Sequence, residues 1–417
     1  MPTPPLCYLD AAARAAVLPE ALAAGTHPDL FAGNAGSVHS AGHQARQAWD
    51  QAVADIARTL SCQVPELVIT ANATESIFLA LIGLARAITD NNQPFDVISS
   101  AIEHPAVQSA VTATGGRPVS VAPDAHGTIR PEALRAVLTP RTRLVSIQAA
   151  NNIVGTIQPL RQLVQVVRTY EQTHGIRIAF HTDAAQLAPW QRVLPHELGV
   201  DALTLSGAKL GTPGGVGVLY LSAGTSFQSP LPGGGQQDGR RGGSLPIRDA
   251  VELTAALRAR WNALPTLAEE TRRRRDQLRD AVLNAIPDAT VNGNPDALLP
   301  NFFSLTVPEI DAETAVYALD ARGIAAAAGS ACSSSQPTGR TAVLETLGLL
   351  PDEARATLRF SVDWSTSDDA IGYASRIVPQ VLIDVLRQAA TQRAIRAHSR
   401  ALADSYAQDS PDAPSRP

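Results

Sequence analysis

The chain has 417 residues, 45% of them hydrophobic, which is enough for a large buried core and more than one domain. Lysines and arginines (34) nearly balance aspartates and glutamates (39), and no basic stripe appears, so we expect no direct binding to nucleic acid. Its apolar runs, such as residues 77–84, are too short to span a membrane, and the N-terminus lacks a signal-peptide pattern, so we expect a cytoplasmic protein.

From residue 45 to residue 221, amphipathic segments alternate with short apolar runs. The amphipathic segments predict helices over 45–60, 75–87, 130–138 and 160–173. The apolar runs predict strands over 67–70, 96–99, 144–148, 177–181, 202–206 and 216–221. This alternation is typical of an α/β fold in which helices cover both faces of a mostly parallel sheet.

The second half of the chain has a different pattern. It begins with a strongly helical stretch over 248–285 and then mixes predicted strands with helices, which indicates a smaller α+β domain. The predicted strands are 301–307, 324–328 and 357–362, and the predicted helices are 312–322 and 369–389. We therefore predict a large domain over 16–262, a small domain formed by 1–15 and 263–395, and a disordered tail over 396–417.

The chain contains 33 arginines and a single lysine, Lys209. A compositional bias accounts for the missing lysines but not for the one that remains. Arginine replaces lysine in most surface roles, but its guanidinium stays protonated and is no nucleophile. An amine that must lose its proton and attack a carbonyl has to be lysine, so either Lys209 has this role or its retention is chance.

The neighbours of Lys209 favour a chemical role. It lies in Ser206-Gly-Ala-Lys209, directly after the strand predicted over 202–206, and Asp183 follows the strand predicted over 177–181. Because ligands of such sheets collect at the carboxyl ends of the strands, the two side chains are expected to meet. Pyridoxal phosphate needs this pair: a lysine to bind it and a carboxylate beside its pyridine nitrogen. Alone, a strand-end aspartate is more often a turn or cap residue.

Two other loop residues fit the same cofactor, although each has a more common structural role. Thr74 lies where a strand ends and a helix begins, so it is either a helix cap or part of a phosphate site. His104 follows the strand predicted over 96–99 and is either structural or lies flat on a cofactor ring.

Taken together and in order, several motifs resemble those of the cysteine desulfurases of the class V aminotransferase family. The resemblance extends from Tyr8-Leu-Asp10 to about residue 386. The motifs are Gly33-Asn-Ala-Gly-Ser-Val-His39, Ala73-Thr-Glu-Ser76, Glu103-His104, Asn151-Asn152, Asp183-Ala-Ala-Gln186, Gly233-Gly-Gly235, Arg241-Gly-Gly-Ser244, Gly329-Ser-Ala-Cys332 and Leu358-Arg-Phe-Ser361.

The resemblance implies a fold-type I enzyme with a seven-stranded, mostly parallel sheet, and it implies a role for each matching residue. The catalytic residues would be Lys209, Cys332 and His104. The pyridoxal phosphate ligands would be Lys209, Asp183, Gln186, Ala73, Thr74, His104, Asn152, Ser206 and Ser244, with Ser244 reaching in from the other subunit of a homodimer. The substrate, L-cysteine, would be bound by Asn152, Arg359 and Asn34. No metal site is expected.

Cys332 narrows the choice of reaction. It lies in a predicted loop of small polar residues, where a buried structural cysteine is not expected. Cys62, in contrast, adjoins an apolar run and is expected to be a buried structural residue. Desulfuration needs a thiolate that attacks the substrate sulfur, keeps it as a persulfide and carries it to an acceptor protein. Ala328-Gly-Ser-Ala-Cys332 resembles the longer loop of the group I desulfurases, which supply sulfur for uses such as iron–sulfur cluster assembly.

The chain also departs from the family pattern. The family histidine before the lysine is Ala208 here, which would remove one contact to the cofactor phosphate. Two alternatives therefore stay open. One is another class V pyridoxal enzyme, such as a selenocysteine lyase, a C–S lyase or an aminotransferase, in which Cys332 is incidental. The other is a weakly active scaffold in a sulfur-transfer complex.

Overall fold

The computed structural model of the protein describes residues 7–27, 30, 33–88, 93–329 and 341–408. The strands are β1 (Cys7–Tyr8), β2 (Leu67–Thr70), β3 (Asp96–Ser100), β4 (Arg117–Val121), β5 (Thr142–Ser146), β6 (Ala179–Asp183), β7 (Ala202–Ser206), β8 (Gly217–Leu221), β9 (Thr290–Asn292), β10 (Phe302–Thr306), β11 (Ile324–Ala325), β12 (Ala327–Ala328) and β13 (Thr357–Ser361). The helices are α1 (Pro19–Ala24), α2 (Ser40–Leu60), α3 (Ala73–Ile88), α4 (Pro105–Ala113), α5 (Pro131–Val137), α6 (Leu160–His174), α7 (Pro195–Leu198), α8 (Gly207–Leu210), α9 (Ile247–Ala285), α10 (Ala312–Asp320), α11 (Thr341–Thr346), α12 (Pro351–Arg355) and α13 (Asp368–Gln408).

The central sheet has seven strands in the order β2-β8-β7-β6-β5-β3-β4. The pairs from β4 through β7 are parallel, and β8 runs antiparallel to both β7 and β2. All residues of β3, β6, β7 and β8 are buried, because helices cover both faces of the sheet. The predicted α/β fold with a mostly parallel seven-stranded sheet is confirmed.

The edge strand β4 and the helix α4 were absent from the elements predicted in the sequence. Most residues of β4 are exposed or half-buried, and Pro118 interrupts its apolar pattern. Because edge strands do not need a continuous apolar run, periodicity does not reveal them. Two predicted strands are also displaced by two residues: 144–148 corresponds to β5 (Thr142–Ser146), and 177–181 corresponds to β6 (Ala179–Asp183).

A second, antiparallel sheet in the order β12-β13-β10-β9 packs against α10, and buried side chains of α13 belong to the same hydrophobic cluster. Its buried side chains form a hydrophobic cluster separate from that of the large sheet, and Cys7 and Leu9 from the N-terminus belong to it. The long helix α9 contributes to both clusters, with Leu264 in the first and Leu278 in the second. The division into domains at residues 15 and 262 stays a prediction.

The last helix of the chain is longer than predicted. Helix α13 continues to Gln408, whereas the predicted helix ends at residue 389. Disorder of the tail over 396–417 stays a prediction. The sequence of 396–408 contains several alanines and two arginines, residue types with a high helix propensity. The residues from 409 onward lie outside the described part of the chain.

Within the described ranges, the helices are all either too short or too polar to cross a membrane.

Candidate active site

A cavity of ≈ 330 Å³ opens at the carboxyl edge of the central sheet, where α/β folds bind ligands. It is lined by Ala12, Ala13, Asn72, Ala73, Thr74, Ile77, His104, Gln148, Ala150, Asn152, Asp183, Ala185, Gln186, Ser206, Lys209 and Arg359. The cavity volume lies near the lower end of the range for small-molecule sites. The structure therefore gathers most of the residues singled out in the sequence into one place.

Lys209 lies on α8, a single turn that follows β7 directly. A side chain at Gly207 would place its Cβ 2.3 Å from Val216, so only glycine allows this tight turn. The Lys209 amine donates a hydrogen bond to the carbonyl oxygen of Ala13. Burial, and then the charge of Arg359, lower the pKa of Lys209 to about 8. A substantial fraction of this amine is therefore neutral and nucleophilic near physiological pH.

Asp183 ends β6 on the same edge of the sheet, and it is 8% exposed. Its Oδ1 accepts a hydrogen bond of 3.0 Å from the backbone N–H of Ala185. Burial raises the pKa of Asp183, and the hydrogen bond from Ala185 and the nearby charge of Lys209 act against that rise. A cation placed in the cavity beside this carboxylate would stabilise its ionised form.

His104 is the N-cap of α4, where its Nδ1 accepts a hydrogen bond of 3.1 Å from the backbone N–H of Ala106. This bond fixes one edge of the imidazole ring and leaves the proton of the neutral ring on Nε2. The ring lines the cavity together with Asp183.

Glu103, next to His104, is buried. Its Oε1 accepts hydrogen bonds from the Ser100 hydroxyl at 2.5 Å and from the backbone N–H of Gln148 at 2.8 Å. Its Oε2 is buried and has no hydrogen-bond partner among the described residues. Burial is the main cause that raises the pKa of Glu103, to about 8. The sequence motif contained Glu103, but nothing in it indicated this environment.

We expect Glu103→Gln to gain stability relative to the unsubstituted protein as the pH rises from 4.5 to 8. Because the pKa of Glu103 is raised by folding, its favourable contribution is complete below the unfolded-state pKa and is lost as pH rises through the folded-state pKa of about 8. Glutamine stays neutral throughout, so the difference in unfolding free energy grows by as much as ~4 kcal/mol. Urea unfolding at pH 5 and pH 8 measures this difference. The exposed Glu313→Gln is the control, and an equal pH dependence in all three proteins would contradict the expectation.

The start of α3 and the end of β7 line the same cavity. Asn72, rather than Thr74, caps the helix, because its Oδ1 accepts a hydrogen bond of 2.9 Å from the backbone N–H of Glu75. Thr74 and Ala73 therefore lie in the first helical turn, where backbone N–H groups and the helix dipole favour an anion. Ser206 lines the cavity with them.

Arg359 on β13 is 2% exposed and forms an ion pair with Asp10. Its Nη1 donates a hydrogen bond of 3.0 Å to the carbonyl oxygen of Asn152. Its Nε is buried without a hydrogen-bond partner in the described ranges, a situation that costs about 1–3 kcal/mol. Gln186 donates a hydrogen bond of 2.9 Å to the carbonyl oxygen of Ala12. The segment after β1 thus contacts the side chains of Arg359 and Gln186.

Three residues singled out in the sequence are not placed in this cavity. Asn34 and Ser244 line a second cavity together with residues 234–238. Cys332 lies outside the described residues. The expected contribution of Ser244 to the site of another subunit therefore stays a prediction. Within the described ranges, no group of three or more histidines, cysteines and acidic residues is placed to hold a metal ion.

Several site residues were missed by the sequence reasoning. Gln148 and Asn72 follow strands β5 and β2, so the rule that ligands bind at the carboxyl ends of strands could have indicated them. Ala12 and Ala13 could not be found in this way, because they reach the cavity from a segment almost 200 residues before Lys209.

Comparison with known proteins identifies the family. The family model for class V aminotransferases matches residues 7–371. The chain belongs to the class V aminotransferase family. It is 34% identical over 355 residues to "Cysteine desulfurase IscS 1" of Archaeoglobus fulgidus, an alignment that covers 84% of this chain and 90% of that protein.

Solved structures of related proteins agree with this membership. A NifS-like protein has a TM-score of 0.82 and 26% identity, covering 90% of this chain and 99% of that one. A structure described as SspA in complex with cysteine has a TM-score of 0.72 and 28% identity, covering 87% of this chain and 100% of that one. This class V aminotransferase therefore resembles cysteine desulfurases over nearly its whole length.

Proposed function

We propose that the protein is a pyridoxal-phosphate-dependent cysteine desulfurase, which converts L-cysteine to L-alanine and leaves the sulfur on Cys332. The observation that carries the proposal is the presence of Lys209, Asp183 and His104 in one cavity, in a chain similar to cysteine desulfurases over 84% of its length. The known relatives with this name act on cysteine, and one relative is described with cysteine bound.

The residues of the cavity fit pyridoxal phosphate. Lys209 has a lowered pKa, as an amine that binds a carbonyl needs, and Asp183 is a buried carboxylate that a protonated ring nitrogen would stabilise. Thr74, Ala73 and Ser206 would hold the phosphate at the start of α3. His104 would lie against the ring, and Gln186 would donate to its hydroxyl oxygen. When bound, this cofactor withdraws electrons from the bonds to the substrate's α carbon.

The substrate carboxylate would bind to Arg359 and Asn152. The Nε of Arg359 is a buried donor that lacks an acceptor within the described ranges, and a carboxylate would supply one. Lys209 would then accept and return a proton at the substrate's α carbon, because its amine lies in the same cavity. Asp183, buried beside it, would keep its negative charge when paired with the ring nitrogen.

Cys332 is the cysteine left for sulfur transfer. Cys7 and Cys62 are buried, and burial raises the pKa of each thiol to about 12, so neither forms a thiolate readily. The Cys332 thiolate would attack the sulfur of L-cysteine, forming a sulfur–sulfur bond while the carbon–sulfur bond breaks. The carbon takes up a proton to become the methyl group of alanine. The products are L-alanine and an enzyme persulfide, so no external oxidant or reductant is needed, and an acceptor protein would take the sulfur.

We expect the purified protein with pyridoxal phosphate and a thiol reductant to convert L-cysteine to L-alanine and sulfide in a 1:1 ratio. No keto acid is required, because the amino group stays on the product. Amino-acid analysis and a sulfide assay measure the two products. Alanine formation that depends on an added keto acid such as pyruvate would favour an aminotransferase, and a lack of alanine under all conditions would exclude the proposed reaction.

A further inference from the structure

The turn that follows β1 closes one side of the cavity and is fixed to two parts of the protein. The backbone N–H of Ala12 donates a hydrogen bond of 2.9 Å to the hydroxyl of Ser361, at the end of β13. The backbone N–H of Ala15 donates one of 3.1 Å to the carbonyl oxygen of Ala208, next to Lys209. The turn therefore has a defined position over the candidate site.

The side chain of Asp10, at the start of this turn, forms an ion pair with Arg359. The Asp10 carboxylate pairs with Nη2 of Arg359, and Nη1 of the same guanidinium is bound to the Asn152 carbonyl oxygen. The Asp10 side chain is 24% exposed, whereas Arg359 is almost fully buried. A carboxylate from the protein's own N-terminal turn thus contacts the cation to which a substrate carboxylate would bind.

We infer that Asp10 is a specificity-determining residue that competes with the substrate carboxylate for Arg359. The inference rests on the proposed function, in which Arg359 binds the carboxylate of L-cysteine. Asp10 neutralises the buried guanidinium while the site is empty, and a ligand carboxylate replaces it. A ligand that carries an amine but no carboxylate cannot replace Asp10 at Arg359. The ion pair of Asp10 with Arg359 therefore weakens the binding of carboxylate ligands and leaves the binding of simple amines unchanged.

Asp10→Asn tests this competition. The substitution removes the negative charge and keeps the size of the side chain. The guanidinium of Arg359 then has no carboxylate from Asp10 to compensate its charge. We expect the holoenzyme to bind L-alanine about tenfold more tightly, which corresponds to about 1.4 kcal/mol, and the KM for L-cysteine to fall by a similar factor. Ethylamine, which is L-alanine without its carboxylate, should bind with less than a twofold change.

Calorimetric titration of the holoenzyme with L-alanine and with ethylamine measures both affinities. Asp10→Glu restores the carboxylate and should return the dissociation constant for L-alanine towards the wild-type value. Asp124→Asn removes a carboxylate that pairs with Arg130 instead, and it serves as the control. Circular dichroism checks that each variant is folded.

The outcomes separate the inference from the proposed function. Weaker or unchanged L-alanine binding in Asp10→Asn would overturn the inference, because a residue that only supports Arg359 would lose affinity on substitution. An equal gain for ethylamine would also overturn it, since the effect would then not involve the carboxylate. If the wild-type enzyme forms no alanine from L-cysteine, the proposed function fails, and the binding comparison still shows whether Asp10 competes for Arg359.

Discussion

Replacement of Lys209 by arginine is expected to abolish covalent attachment of pyridoxal phosphate and to reduce alanine formation by about 10³-fold or more. Arginine keeps the positive charge and the length of the side chain, but it cannot act as the nucleophile that binds the cofactor. Borohydride reduction of the protein with pyridoxal phosphate, followed by peptide mass spectrometry, measures the attachment. Because Lys209 is the only lysine, the wild-type protein should carry one side-chain adduct, on the peptide that contains it.

A matched control tests whether attachment of the cofactor requires a lysine in the cavity or only a lysine anywhere in the protein. Arg161 lies on α6 and does not line the cavity. Its side chain is 66% exposed. Arg161→Lys combined with Lys209→Arg gives a protein that again has one lysine, but on the surface. We expect no adduct in this double variant. An adduct on residue 161 at wild-type yield would mean that the cavity gives Lys209 no special reactivity.

The pH dependence of attachment follows from the same site. Burial lowers the pKa of Lys209 to about 8, so the amine is mostly protonated below that pH and mostly neutral above it. Since only the neutral amine attacks a carbonyl, the initial rate of attachment should rise about tenfold per pH unit below pH 8 and level off above it. A rate that continues to rise to pH 10 would indicate an amine with an ordinary pKa.

The central sheet could be predicted from the sequence because its strands are buried on both faces. Strands β2 and β7 have the predicted bounds, since each is a short apolar run that ends at turn residues. The edge strand β4 was not predictable in this way, because it buries little and contains Pro118. Helix α13 extends beyond its predicted end because alanine and arginine extend it without an apolar face.

The residues alone indicate the candidate site only at the ends of strands, whereas Arg359, in the middle of β13, was expected from the resemblance to the family. Asp183 ends β6 and Lys209 follows the neighbouring strand β7, so the parallel order of the sheet brings them together. The ion pair of Asp10 with Arg359 joins residues 349 positions apart, and no local pattern indicates such a pair. The burial that raises the pKa of Glu103 likewise depends on packing from several elements rather than on its neighbours in the chain.

Replacement of Cys332 by alanine is expected to abolish persulfide formation and to reduce alanine formation from L-cysteine by roughly 10²-fold or more. Cys332 lies five positions after Ala327 in the chain, and Ala327 on β12 pairs with Arg359 on β13. Mass spectrometry of the wild-type protein after incubation with L-cysteine should find one added sulfur on the peptide that contains Cys332. Unchanged sulfur release by Cys332→Ala would contradict the proposed transfer and favour a lyase in which this cysteine is incidental.

Cys62→Ala is the matched control for this experiment, because it removes a thiol that the fold keeps unreactive. Burial, with a smaller effect from Glu66, raises the pKa of Cys62 to about 12, so at pH 7.5 only about one molecule in 10⁴ or fewer carries the thiolate at this position. Sulfur transfer requires a thiolate, and Cys62→Ala should therefore keep the wild-type persulfide yield and alanine rate. A persulfide that is found on Cys62 in the wild-type protein, or lost in Cys62→Ala, would mean that the sulfur acceptor is this buried thiol rather than Cys332.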